Sequence, residues 1–123
     1  MHQPEFNLQC QVISWIKYQY PNIKFCASLG GVRVGIGLAT KLKRMGYCKG
    51  FPDLMICKPK GYKSNKLVWE YCGLFIEFKA PNKKPDVSPE QTEWINYLLS
   101  EGYTTSVCND YDEAIKIIKD YLG

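Results

Sequence analysis

The chain has 123 residues, 46% of them apolar and 23% charged, with a net charge of +4. That length holds one core in one domain, residues 1–123, and the composition excludes a disordered chain. One histidine, His2, excludes the mechanisms that need an interior imidazole: two-histidine zinc hydrolases, histidine-based nucleases, and serine or cysteine triads.

The charge is uneven. Residues 1–63 hold ten Lys or Arg against Glu5 and Asp53, a balance of +8, while residues 64–123 hold six against ten acids, a balance of −4. A basic half facing a polyanion is the electrostatic footprint of nucleic-acid binding, although an anionic membrane surface, or solvent alone, would also suit such lysines. The six cysteines form no C-x-x-C pair, which speaks against structural zinc. Cys57 and Cys108 in strand-like runs and Cys10 on a helical stripe are expected as small buried hydrophobes, free thiols of a reducing compartment. Met1-His2-Gln3-Pro4 lacks the basic start of a signal peptide, and no apolar run reaches membrane-spanning length. The expected protein is soluble and intracellular, in the host cytoplasm or nucleus if viral, with no membrane partner.

Pro4 suits a first helical turn, and residues 4–20 continue with Leu8, Val12, Ile13 and Ile16 as an apolar stripe that Pro21 stops. Glu5 and Gln9, four apart, share one face at the edge of that stripe; Glu5 could equally serve the helix dipole. Residues 23–28 suit a short strand. The glycine-rich run from Gly30 to Gly37 completes neither phosphate-loop pattern, so no nucleotide cofactor is expected. A helix over 37–45 would turn Leu38, Leu42 and Met45 inward and Lys41, Lys43 and Arg44 outward, ending at Gly46.

Residues 53–57 and 74–79 are the strongest strands, apolar on both faces as central strands covered by helices are. Asp53 stands at the start of the first and Glu77-Phe78-Lys79 at the end of the second. Strand side chains alternate faces, so Glu77 and Lys79 point one way and Phe78 the other. If the two strands are neighbours, two carboxylates and one ammonium converge. The carboxylate pair suits a hard divalent cation, and the lysine suits charge developing on a phosphate under attack. Residues 58–72, basic and aromatic, are longer than a tight hairpin needs and could contact DNA or add an edge strand. Ser88-Pro89-Glu90-Gln91 is a capping-box start for a helix to about Glu101, with Trp94, Ile95, Leu98 and Leu99 inward. Gln91 either caps its own backbone or reaches the acidic patch. Residues 104–108 form a last strand, and Asn109 or Asp110 caps a helix bearing Ile115, Ile118 and Leu122. Arg33, Lys41, Arg44 and Lys49 are the candidate DNA-backbone contacts.

In this order Glu5 with Gln9, Gly30-Gly31-x-Arg33, Lys49-Gly50-Phe51-Pro52-Asp53, Glu77-x-Lys79 and Ser88-Pro89-x-Gln91 resemble the virus-type replication-repair nuclease (VRR-NUC) family, a branch of the PD-(D/E)xK superfamily. The resemblance spans about residues 5–122. It implies an α/β fold with a restriction-endonuclease-like mixed sheet flanked by helices, Mg2+ or Mn2+ as cofactor, and DNA phosphodiester cleavage. Stand-alone relatives of this kind look like homodimers that cut four-way (Holliday) junctions, while the same domain in the Fanconi-associated nuclease works on flaps. Carried over, Asp53, Glu77 and the backbone carbonyl of Phe78 would bind metal. Lys79 would orient the attacking water or support the transition state, Glu5 would assist through water on the metal, and Gln91 would position Lys79 or the phosphate. The long 58–72 segment departs from compact versions of the pattern and leaves substrate preference open. A flap or general duplex endonuclease with the same site and a DNA-binding module without catalysis are the alternatives.

Overall fold

The structure, a computed structural model, describes residues 3–29, 34–61 and 69–123. The elements in chain order are α1 (Pro4–Gln19), β1 (Phe25–Ala27), α2 (Ile36–Arg44), β2 (Leu54–Ile56), β3 (Lys60–Gly61), β4 (Trp69–Tyr71), β5 (Leu74–Phe78), α3 (Pro89–Ser100), β6 (Thr104–Cys108) and α4 (Tyr111–Leu122). A four-stranded sheet runs β1-β2-β5-β6, antiparallel across its first two pairings and parallel between β5 and β6. The change of direction follows from the connections. Parallel strands need a crossover, and α3 provides it between β5 and β6.

The apolar strands are the central ones, as expected. All five residues of β5 are buried. Leu54 and Ile56 of β2 join Leu74, Ile76 and Phe78 of β5 on one face, where Leu8, Val12 and Ile16 of α1 and Ala114, Ile118 and Tyr121 of α4 cover them. The opposite face carries Phe75, which meets Phe51 and Tyr103 edge-to-face, and Phe51 in turn meets Trp94 of α3. The result is three layers, with α1 and α4 on one side of the sheet and α3 on the other.

Several packing expectations are corrected. Helix α2 buries no residue: Met45 is 81% exposed, Leu38 faces solvent, and only Ala39 and Leu42 are half-buried. Both sheet faces already carry helices, so its apolar positions have no sheet surface to cover. On α3, Leu98 is buried but Leu99 lies outward; a residue turns 100° from its neighbour, which carries Leu99 past the edge of the stripe. Of the 58–72 segment, whose role the sequence leaves open, the described residues contribute β3 and β4 as a two-stranded ribbon apart from the main sheet. Cys10 and Cys57 are exposed, and only Cys108 is buried among the six free thiols. Burial pushes the Cys108 thiol up to about 12, so it remains an inert hydrophobe.

Gly50 fixes how α3 meets this framework. Its φ is +91, and a Cβ there would lie 2.6 Å from the backbone carbon of Glu90 in the first turn of α3. Only glycine allows the Phe51-Pro52-Asp53 segment to pass so close to that helix.

Candidate active site

The register between β2 and β5 pairs Leu54 with Ile76 and Met55 with Phe75; continued by one residue it sets Asp53 opposite Glu77. The sequence-based convergence is therefore realised on neighbouring strands. Asp53 is pinned three ways. Its Oδ2 accepts from the backbone N–H of Phe78 at 2.8 Å. Its carbonyl accepts from the N–H of Ser28 at 2.8 Å. The preceding carbonyl, of Pro52, accepts from the Ser28 hydroxyl at 2.7 Å. The carboxylate thus takes the place of a strand partner for Phe78 and stays at the end of the ladder.

Glu77 is buried, 6% exposed, between β2 and α3. Its Oε1 accepts from the side-chain amide of Gln91. Its Oε2 meets no N–H or hydroxyl donor among the described residues, and its carboxyl neighbour Asp53 is a partner only while the pair holds a proton. Burial first, and then the charge of Asp53, push Glu77 up to about 8, with Lys79 pulling the other way. Burial also raises Asp53, against the lowering effect of the Phe78 N–H. Two carboxylates this close cannot both ionise cheaply, so the pair retains a proton near neutral pH.

Gln91 fulfils both of its sequence readings at once. In the capping box its Oε1 accepts from the Ser88 N–H at 2.9 Å while its own N–H donates to the Ser88 hydroxyl at 3.1 Å. The same Oε1 accepts from Lys79 Nζ at 2.9 Å. With the carbonyl end occupied by two donors, the amide nitrogen must face Glu77, so the orientation of the group is fixed by its partners. The helix start that positions α3 also aims Lys79.

The donor set suits a hard cation. Asp53 and Glu77 offer carboxylate oxygens, one of them buried and orphaned. The Phe78 carbonyl faces the same neighbouring strand as its N–H, which points at Asp53, since both groups of an extended residue are directed alike. Among the described residues no three Asp, Glu, His or Cys groups form a metal cage. Two carboxylates and a carbonyl fit magnesium or manganese, which keep part of their water shell, better than zinc or calcium.

Glu5 is exposed on α1, yet its charge reaches Glu77 and contributes to raising it. Of the candidate DNA contacts, Lys41 and Arg44 are exposed in the last turn of α2. Lys49 pairs with Glu90 at 3.3 Å on the surface, a contact worth little. Arg33 lies outside the described residues. Three residues at the site escaped the sequence reading. Lys83 and Lys84 line a cleft with Glu5 and Lys79, and their closeness to Glu77-x-Lys79 in the chain was the available signal. Tyr47 is half-buried beside the acid pair; burial and the charges of Asp53, Glu77 and Cys48 raise its phenol. Nothing in the Met-Gly-Tyr string marks it. A larger groove, about 490 Å3, is bounded by Lys49, Glu90, Trp94 and Tyr97 and includes neither acid.

Comparison with known proteins bears on the family and the fold. The family model of the VRR-NUC domain matches residues 2–110. The chain is similar to a solved VRR_NUC domain protein at 30% identity, over 99% of this chain and 90% of that one, with a TM-score of 0.76. A second solved structure, a VRR_NUC domain, shares 19% identity over 98% of this chain and 99% of that one, with a TM-score of 0.59, and supports the fold alone. No curated protein matches the chain. No helix among the described residues is long and apolar enough to cross a membrane.

Proposed function

The chain belongs to the VRR-NUC family of nuclease-type domains, and from that premise we propose that it is a Mg2+- or Mn2+-dependent endonuclease that hydrolyses phosphodiester bonds in branched DNA. The observation that carries the reading is the unpartnered Oε2 of Glu77, buried opposite Asp53 beside a lysine held at a fixed angle. Two buried carboxyls that can satisfy each other only by sharing a proton are not placed for the sake of stability.

Asp53, Glu77 and the Phe78 carbonyl would hold the ion, which when bound neutralises the phosphate and makes water more acidic. The protein's own groups do the rest. Asp53 is anchored by the Phe78 N–H and so offers its remaining oxygen without reorganising. Lys79, aimed by Gln91, places an ammonium where negative charge develops on the non-bridging phosphate oxygens. Glu5, at the open side of the site, orients water toward the phosphorus. Lys83 and Lys84, with Lys41, Arg44 and Lys49 further out, attract the DNA backbone. Arg33 joins this set on sequence grounds alone.

A four-way junction presents two equivalent strands, and one chain has one acid pair. A two-fold homodimer supplies the matching pair of sites, so junction resolution in viral or phage replication, recombination or repair is the preferred role. One gel tests the set: four-way junction, flap, linear duplex and single-stranded DNA, each with and without magnesium. Symmetric metal-dependent junction cutting supports the proposal. Preference for flap or linear duplex points to a different endonuclease with the same site. Binding without cutting under any metal refutes the enzyme reading.

A further inference from the structure

Helix α1 has more apolar surface than the core uses. Leu8, Val12 and Ile16 are its buried stripe. Phe6 and Cys10, both exposed, and Ile13, half-buried against the edge of the core, make a second stripe about a third of a turn around the helix. That second stripe walls a concavity of about 380 Å3, closed on the far side by Ala27 and Ser28 and ending at Asp53. The size is within the range that holds a small organic group. Phe6 stands at its rim, 61% exposed. A separate cleft of about 250 Å3 lies on the other side of Glu5, lined by Lys79, Lys83 and Lys84.

Glu5 lines both spaces, but among the described residues only the second carries cations, Lys79, Lys83 and Lys84, with Asp86 beside them. No described residue lining the α1–β1 concavity is Lys or Arg, while Glu5 and Asp53 place two carboxyl groups there. A phosphate finds no cation among the described residues of such a space; a neutral, flat, partly apolar group is accepted. The lysine cleft has the reverse preference. The two spaces meet at Glu5 and the first ends at Asp53, so one strand carrying a phosphate and a neutral ring can present one to each.

We infer that the α1–β1 concavity receives one unstacked nucleobase of the substrate strand, adjacent to the scissile phosphate, with its ring against Phe6, while the phosphates of that strand run past Lys83 and Lys84. This rests on the nuclease reading only for the choice of nucleic acid as ligand. Gln9 and Ser14 border the space and offer an amide and a hydroxyl to base edges. Aromatic stacking accepts any base, so the pocket selects for an unpaired nucleotide and not for sequence. A base in intact duplex must first leave its stack, whereas one at a branch or in a single strand is already available. The pocket is thus a built-in source of preference for branched or single-stranded DNA at the cut.

The test uses the whole chain and a short oligothymidine with one central 2-aminopurine, titrated at low salt without metal, so that nothing is cut. Wild type and Phe6→Tyr should quench the fluorescence, and Phe6→Ala should require about tenfold more protein for half-saturation, with an unchanged circular dichroism spectrum. In magnesium, kcat/KM on junctions should fall in the same proportion for Phe6→Ala and be restored by Phe6→Tyr. Equal quenching by wild type and Phe6→Ala overturns the inference. So does a change from two-chain to one-chain mass in Phe6→Ala with quenching intact, because the stripe would then belong to a second copy. Phe6-dependent quenching in a protein that cuts no DNA would refute the nuclease reading and uphold the base pocket.

Discussion

Replacing Glu77 with glutamine should make the metal-free protein more stable and catalytically dead, and the two effects have one origin. In the unfolded chain this carboxyl titrates near 4.5; folding raises it to about 8 by burial and by the charge of Asp53. Between those values the folded state holds a proton that the unfolded state has lost. The stability linked to that proton is complete below 4.5 and is lost as pH rises through about 8. The slope is roughly 1.4 kcal/mol per pH unit, with a ceiling of ~4–5 kcal/mol over the window. Asp53 shares the titration and Lys79 offsets part of it, so about half that figure, ~2 kcal/mol, is the working expectation. Glutamine removes the ionisation and keeps an oxygen for the Gln91 amide. It also turns the unpartnered oxygen into a donor facing Asp53.

For 123 residues, an unfolding entropy of ~2.1 cal/mol/K per residue makes 1 kcal/mol worth about 4 °C. Thermal melts in EDTA should therefore show Glu77→Gln within ~2 °C of wild type at pH 5 and higher by roughly 8 °C at pH 9. Added magnesium should raise Tm for wild type only, since only wild type offers the second carboxylate. Magnesium affinity of wild type should itself rise with pH up to about 8, as Glu77 gives up its proton. A Tm difference that does not change with pH would refute this account of Glu77, whatever the mutant's activity.

Gln91→Ala removes both the capping-box partner and the acceptor for Lys79. It should cost about 1 kcal/mol of stability and lower single-turnover cutting by one to two orders of magnitude, a loss far larger than any change in DNA affinity; equal losses in both would deny it a positioning role. Gly50→Ala forces a Cβ toward Glu90 and a side chain onto a φ of +91. It should destabilise by ~1–3 kcal/mol and shift α3 enough to reduce cutting, and a melt within ~1 °C of wild type would contradict the close approach. Removing both Lys83 and Lys84 by alanine should weaken DNA binding and reduce the slope of log affinity against log salt by about 1–2, read by fluorescence anisotropy; an unchanged slope would place the DNA backbone elsewhere.

The part of this protein that its sequence reveals is the part where one local rule decides the outcome. Asp53 and Glu77 interrupt runs that are otherwise apolar on both faces, and a carboxylate at such a place has few explanations other than chemistry. The caps of α3 and α4 follow from Ser88 and Asp110, whose side chains accept from Gln91 and Glu113. What escaped reading depended on which surfaces remained free. The stripe Leu38, Leu42 and Met45 on α2 has the right period, but period cannot tell whether a sheet face is available to cover it. Cys10 and Cys57 look like core residues by their neighbours and lie outside because short strands and a second apolar stripe on α1 leave them at the rim. Lys83 and Lys84 read as loop charge until the loop is seen to turn back beside Glu5.

Gln91 shows why the site and the fold cannot be separated here. Its side chain closes the first turn of α3, donates to one oxygen of Glu77 and accepts from the ammonium of Lys79. Moving the helix start by one residue would therefore misplace the Lys79 ammonium as well as the cap. The strand pairing works the same way, because slipping β2 against β5 by one position would send Asp53 to the face occupied by α1 and α4 and separate it from Glu77. The apolar residues that fix this register, Leu54, Ile56, Leu74 and Ile76, are fully buried or nearly so, and slipping any of them toward the opposite face is opposed by their burial. The core thus acts as the alignment device for the acid pair. Among the described residues the buried side-chain oxygen that no donor reaches is Oε2 of Glu77, the atom where a cation, on the proposed reading, would offset what folding leaves unsatisfied.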